Sequence, residues 1–209
     1  GATTALTDPT GGGTWTSSNV TEATVGTSSG IVSGVAAGTP TITYTLPTGC
    51  IATKQITVIA TPTAIGGTPS VCVGSTTLLT NTLSGVTWSS SNTAIATVGS
   101  STGIVTGVTA GTVTIVCGNI GCTSSITFTV NPNPAAIAGT PNVCEGLTRT
   151  LTNSTTGGVW SSSNITLATV GTASGIVSGI LAGSLTISYT LPTGCFSVMP
   201  FTVNPTPAS

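Results

Sequence analysis

Three stretches decide the fold: TWTSSNVTEATVGTSSGIVSG (residues 14–34), TWSSSNTAIATVGSSTGIVTG (87–107) and VWSSSNITLATVGTASGIVSG (159–179). Trp15, Trp88 and Trp160 sit at the same place in each, 73 and 72 residues apart. The 209-residue chain is therefore an array of three similar units, read as residues 1–60, 61–132 and 133–209. A unit of about 72 residues holds one small domain with a marginal core.

Outward from those stretches, short runs of Val, Ile and Thr alternate with Gly, Ser-Asn and Pro signals every 8–12 residues. In the second unit TTLLT (76–80), VTWSS (86–90), AIATV (94–98), GIVTG (103–107), TVTIVC (112–117) and SITFTV (125–130) read as strands. Val113, Ile115 and Cys117 alternate with Thr112 and Thr114. Ile126, Phe128 and Val130 alternate with Thr127 and Thr129. No window keeps a 3.6-residue period, so the expectation is an all-β chain of two packed antiparallel sheets per unit. The glycines flanking GIVSG and GIVTG predict positive φ on both sides of a short core strand. The linkers IATPTA, VNPNPA and VNPTPA predict semi-rigid passages, giving beads on a string. Trp15, Trp88 and Trp160 are expected in the sandwich cores, with Leu6, Leu79, Leu151, Val25, Val98 and Val170.

Charge excludes whole classes of function. Only Lys54, Arg149, Asp8, Glu22 and Glu145 are ionic, 2% of the chain against roughly 25% in ordinary domains. Two cations cannot neutralise a phosphate backbone, which argues against nucleic-acid binding. No apolar run approaches the roughly 20 residues of a membrane-spanning helix, so membrane insertion is not expected. There is no histidine to serve as a base, and the three acids fall at unrelated repeat positions. No enzyme activity, metal or cofactor is expected. The near-neutral, hydroxyl-rich surface lacks the lysines that guard sheet edges, which predicts association between copies.

Six cysteines without histidine favour disulfides in an oxidising, extracellular setting. Cys72 and Cys144 each precede their tryptophan by 16 residues; Cys50, Cys122 and Cys195 follow theirs by 34 or 35. Pairing within units predicts Cys72–Cys122 and Cys144–Cys195, each closing a loop of about 50 residues and stabilising by roughly 4 kcal/mol. Cys50 is left without a partner in the chain. Cys117 takes the inward position of Tyr44 and Tyr189, as a buried free thiol, or else in another bridge or an interchain bond. Gly1 aligns with Gly74, so the first unit lacks the strand that carries the first cysteine. Two readings follow: a window on a longer tandem array, or a first unit completed by an edge strand from a neighbouring chain.

The run W-S-S-S-N-x-x-x-A-T-V-G followed by S/T-G-I-V-x-G-x-x-A-G-x-x-T-I resembles the bacterial immunoglobulin-like domain, group 2, along essentially the whole chain. The resemblance implies tandem immunoglobulin-like β-sandwiches in a secreted bacterial surface adhesin or filament protein. Gly26, Gly99 and Gly171 stand where many relatives carry aspartate, so no calcium role follows from it. The expectation is a structural filament or stalk at the bacterial cell surface, its partners being copies of itself or adjacent repeats. Its rival is an adhesin module binding carbohydrate or host matrix, for which Phe196 is the aromatic whose exposure matters. Asn19, Asn153 and Asn164 lie in N-x-S/T sequons, which adds glycans as a partner class.

Overall fold

The computed structural model describes residues 1–207, and among these there is no helix, only strands and turns. The first repeat carries β1 (Thr3–Ala5), β2 (Thr14–Ser17), β3 (Ala23–Val25), β4 (Ile31–Gly34), β5 (Thr41–Thr45) and β6 (Ile51–Gln55). The second carries β7 (Ser70–Cys72), β8 (Thr76–Leu78), β9 (Thr87–Ser90), β10 (Ala96–Val98), β11 (Ile104–Gly107), β12 (Gly111–Asn119) and β13 (Cys122–Asn131). The third carries β14 (Asn142–Cys144), β15 (Thr148–Thr150), β16 (Val159–Ser162), β17 (Ala168–Val170), β18 (Ile176–Gly179), β19 (Gly183–Thr190) and β20 (Phe196–Asn204).

Each repeat builds two sheets. One is three-stranded, in the orders β1-β4-β3, β10-β11-β8 and β15-β18-β17; the other runs β2-β5-β6, β7-β13-β12-β9 and β14-β20-β19-β16. The chain divides into two compact units. One comprises Gly1–Ile65, Asn81–Thr87 and Val116–Ser125; the other comprises Gly66–Thr80, Trp88–Ile115 and the described residues from Ile126 onward.

The sheets are not purely antiparallel. β7 joins β13 in parallel, Val71 opposite Val130, and β14 joins β20 in parallel, Val143 opposite Val203. The sequence signalled these three-residue strands only through their cysteines, because they are too short to alternate. Among the described residues, β6 lies at the edge of the β2-β5-β6 sheet.

Alternation places the core. Val113, Ile115, Cys117, Phe128 and Val130 are buried while Thr112, Thr114 and Thr127 face outward. Within the first unit Trp15, Ala23, Val32, Ile42 and Tyr44 form one cluster. In the second unit Trp160, Ala168, Val177, Leu185, Ile187, Tyr189 and Phe201 belong to another. Trp88 is buried too. Leu79 and Leu151 are fully buried, whereas Leu6, Val25, Val98 and Val170 are half-buried; Ala23, Ala96 and Ala168, two residues before the valines, are wholly enclosed.

The flanking glycines divide their work, correcting the expectation of positive φ on both sides. Gly30, Gly103 and Gly175 have φ of 65°, 70° and 68°, and a Cβ on Gly175 would lie 2.9 Å from Trp160 Cε2. Gly34, Gly107 and Gly179 have ordinary φ and are needed for closeness instead. A Cβ there would meet Cys72 O at 2.8 Å in the second repeat and Cys144 O at 2.8 Å in the third. They leave room for the parallel strand.

Candidate functional site

The repeated Ser-Ser-Asn motif builds a turn. After each tryptophan strand the Asn side chain folds back: Asn19 Oδ1 accepts from Thr21 N at 3.0 Å, Asn92 Oδ1 from Ala94 N at 3.0 Å, and Asn164 Oδ1 from Thr166 N at 3.0 Å. The serine before it holds the neighbouring strand: Ser18 Oγ accepts from Thr41 N at 2.9 Å, and Ser163 Oγ from Thr186 N at 2.9 Å. These side chains are occupied with architecture. The third sequon is likewise engaged, with Asn153 Nδ2 donating to Ala135 O at 2.7 Å.

A tyrosine lock went unread in the sequence. Tyr44 packs on Trp15 with ring centroids 4.6 Å apart, and Tyr189 on Trp160 at 4.8 Å. The Tyr44 hydroxyl donates to Thr10 O at 2.7 Å and accepts from Gly13 N at 2.8 Å. Tyr189 does the same with Thr155 O and Gly158 N, at 2.8 and 2.9 Å. The second repeat replaces this tyrosine by Cys117, a buried free thiol. Burial pushes the Cys117 pKa up, opposed by hydrogen bonds from the Ser124 backbone and the Asn81 side chain.

The acids are dispersed. Asp8 Oδ1 accepts from Thr10 N at 2.9 Å. Glu145, beside β14, accepts from Ala182 N at 2.6 Å. No group of three or more metal-ligating side chains occurs among the described residues.

The cysteines are where the structure departs most from expectation. Neither Cys72–Cys122 nor Cys144–Cys195 forms. The structure joins Cys72 to Cys195 instead, with Cα atoms 5.6 Å apart, while Cys50, Cys117, Cys122 and Cys144 are free. The parallel strand explains why. Cys72 lies opposite Asn131, the last residue of β13, and Cys122 is the first residue of that same ten-residue strand. At about 3.3 Å per residue they are roughly 30 Å apart along it, far beyond the roughly 7 Å a disulfide tolerates. Cys144 lies opposite Asn204 at one end of β20, and Cys195 precedes its other end. The two cysteine positions of one repeat therefore occupy opposite ends of its sandwich. The tip cysteine of the third repeat meets the first-strand cysteine of the second, and Cys195 Sγ lies 4.0 Å from Asn131 O.

The three tip cysteines follow the same turn, with Gly49, Gly121 and Gly194 at φ of 87°, 80° and 84°. Their surroundings differ: Cys195 is fully buried, Cys122 half-buried and Cys50 exposed. In the first unit an open groove of about 710 Å³ runs beside β1 and β4, lined by Val32, Gly34, Val58, Ile59, Ile120 and Cys122 among others.

Residues 52–117 match the bacterial Ig-like domain, group 2. The Ig-like match opens within β6 and closes at Cys117, taking in the Cys72 strand, the Trp88 stretch and the first seven residues of β12. Similar solved structures include the surface-layer protein SbsC, domains 4 and 5, at 22% identity over 71% of this chain and 100% of that one, with a TM-score of 0.33. The C-terminal 282-residue fragment of intimin, solved with the intimin-binding domain of its translocated receptor, is 16% identical over 69% of this chain and 65% of that one, TM-score 0.44. Mouse cadherin-23 EC22–24 is 14% identical over 95% and 89%, TM-score 0.30. The chain spans about a third (35%) of the longer SbsC structure of domains 1–6. No curated protein matches the chain.

Among the described residues no helix is long and apolar enough to cross a membrane. Phe196, next to the buried Cys195, is 58% exposed.

Proposed function

We propose that the chain is a structural repeat region of an extracellular bacterial surface filament or stalk, in which Ig-like repeats at 1–60, 61–132 and 133–209 supply length and associate laterally. The observation that carries this reading is the Cys72–Cys195 bond, which fastens the second repeat to the third instead of closing either on itself. A staple between successive repeats suits an array whose task is to remain in series.

Lateral association is supported by repetition of apolar surface. Ile31, Ile104 and Ile176 are exposed at matching places in β4, β11 and β18, and Val35, Val108 and Ile180 are exposed four residues further on. With five ionic residues in 209, charge offers little to keep such surfaces apart. Sedimentation velocity of the purified chain over a wide concentration range tests this, with electron microscopy of the heavier species. Association should rise with concentration and fall in the double variant Ile104→Lys, Ile176→Lys. A chain that stays monodisperse at millimolar concentration refutes it.

A second reading, a ligand-binding adhesin module for carbohydrate or host matrix, is favoured by the exposed ring of Phe196. Binding on a glycan or matrix-protein array that disappears with Phe196→Ala would support this reading over the filament.

A further inference from the structure

The three Asn-x-Ser/Thr triplets look alike in sequence, and the structure separates them. Asn19, in the turn between β2 and β3, accepts through Oδ1 from Thr21 N at 3.0 Å and from Thr21 Oγ1 at 2.7 Å. Asn164, in the turn between β16 and β17, repeats both bonds, from Thr166 N at 3.0 Å and Thr166 Oγ1 at 2.7 Å. These turns use the oxygen of the amide and leave its nitrogen out. Among the described residues, neither Nδ2 donates a hydrogen bond.

Asn153 is held the other way. Its Nδ2 donates to Ala135 O at 2.7 Å and to Ser197 Oγ at 3.4 Å, and Thr155 Oγ1 is taken up in accepting from Ala135 N at 2.9 Å. Both groups that a transferase must reach are spent on the linker. The second repeat supplies a blank: Asn92 forms the same turn with Ala94 N at 3.0 Å, but position 94 carries no hydroxyl. The middle residues differ in the same sense. Val20 and Ile165 are 62% and 68% exposed, bare aliphatic side chains in a hydroxyl-rich turn, whereas the second repeat has Thr93 at that place. The C–H face of a sugar attached one residue away would cover such a side chain.

We propose that Asn19 and Asn164 are N-glycosylation sites of the folded chain, and that Asn153 is not. The substrate class is an oligosaccharide carried on a lipid pyrophosphate. An amide nitrogen is a poor nucleophile, because its lone pair is delocalised into the carbonyl. Two donors on Oδ1 stabilise the negative charge which that oxygen takes on when Nδ2 loses a proton, so the turn favours the reactive form. In the transfer Nδ2 gives a proton to the enzyme's base and attacks C1 of the first sugar. The C1–O bond to the pyrophosphate breaks, and the pyrophosphate leaves on its lipid with the bonding pair. The proposal takes from the filament reading only the export of the chain; association between copies plays no part in it.

The test is glycopeptide mass spectrometry on the chain recovered from the cells that make it. Trypsin gives 1–54 with Asn19 and 55–149 with Asn92, and chymotryptic cleavage after Trp160 parts Asn153 from Asn164. Glycan should appear at Asn19 and Asn164. Occupancy at Asn164 should exceed that at Asn153 by about tenfold or more, since Asn153 must first give up its bond to Ala135. Either of the two sites left unmodified, or equal occupancy at Asn153, overturns the proposal. A second arm offers a purified oligosaccharyltransferase and lipid-pyrophosphate-linked oligosaccharide first the folded chain, then its tryptic peptides. The preference for Asn164 over Asn153 should hold in the folded chain and vanish in the peptides. A preference that persists in the peptides belongs to the sequence and refutes the structural assignment.

Discussion

Cys72→Ser removes a bond that closes a loop between residues 123 apart in sequence. In the chain-entropy treatment that closure restricts the unfolded state by about 5 kcal/mol, more than either 50-residue loop expected from spacing. For a cooperative unit of this size the loss corresponds to a fall in midpoint of roughly 10–20 °C. Connectivity can be read directly, because Lys54 and Arg149 are the only tryptic sites and cleavage there gives fragments 1–54, 55–149 and 150–209. After denaturation with free thiols alkylated, and without reductant, fragments 55–149 and 150–209 should run joined. Cys144→Ser should leave them joined, and Cys72→Ser should release them. Pairing within repeats demands the reverse, since Cys144–Cys195 would then be the link. If the Cys144→Ser fragments separate, the reasoning from the parallel strand is wrong.

Gly175→Ala forces a side chain into φ of 68° and against Trp160, and should cost about 2–4 kcal/mol in denaturant titrations followed by tryptophan fluorescence. Tyr189→Phe leaves Thr155 O and Gly158 N without their partner and should cost about 1–3 kcal/mol in the same titrations, while keeping the Trp160 contact. Cys117 should be alkylated far more slowly than Cys50 in the folded chain, read by mass spectrometry, because burial raises its pKa and the thiolate is the reactive form. The same shift favours the folded state below the ordinary thiol pKa. That contribution should fall away as pH rises above it, and Cys117→Ala should flatten this part of the stability profile.

Strands, turns and core were legible because each rests on local chemistry repeated three times. Val113, Ile115 and Cys117 alternate over one face, and the three tryptophans are buried although their strands β2, β9 and β16 lie at sheet edges and not, as the repeat suggests, at the centre. The cysteine pairing was not legible. Spacing gives distance along the chain, and Cys72 and Cys122 become remote only once Val71 is set beside Val130 in a parallel register. No periodicity announces a three-residue strand. At Gly34, Gly107 and Gly179 the sequence shows that a side chain is missing, not whether conformation or proximity requires it. The repeat pattern turns Tyr44 and Tyr189 inward, but their hydroxyl bonds span 31 and 34 residues, which no local pattern reveals.

The Cys72–Cys195 bond also governs how the chain answers tension. Fully drawn out, the stretch between these two cysteines, 123 residues apart, would measure about 400–440 Å. None of that contour can be paid out while the bond is intact, even if the sheets between its ends were pulled apart. Compliance is confined to residues outside the loop. A reductant would release the hidden length at once, so the thiol–disulfide balance of the surroundings sets how far the chain can stretch before it breaks.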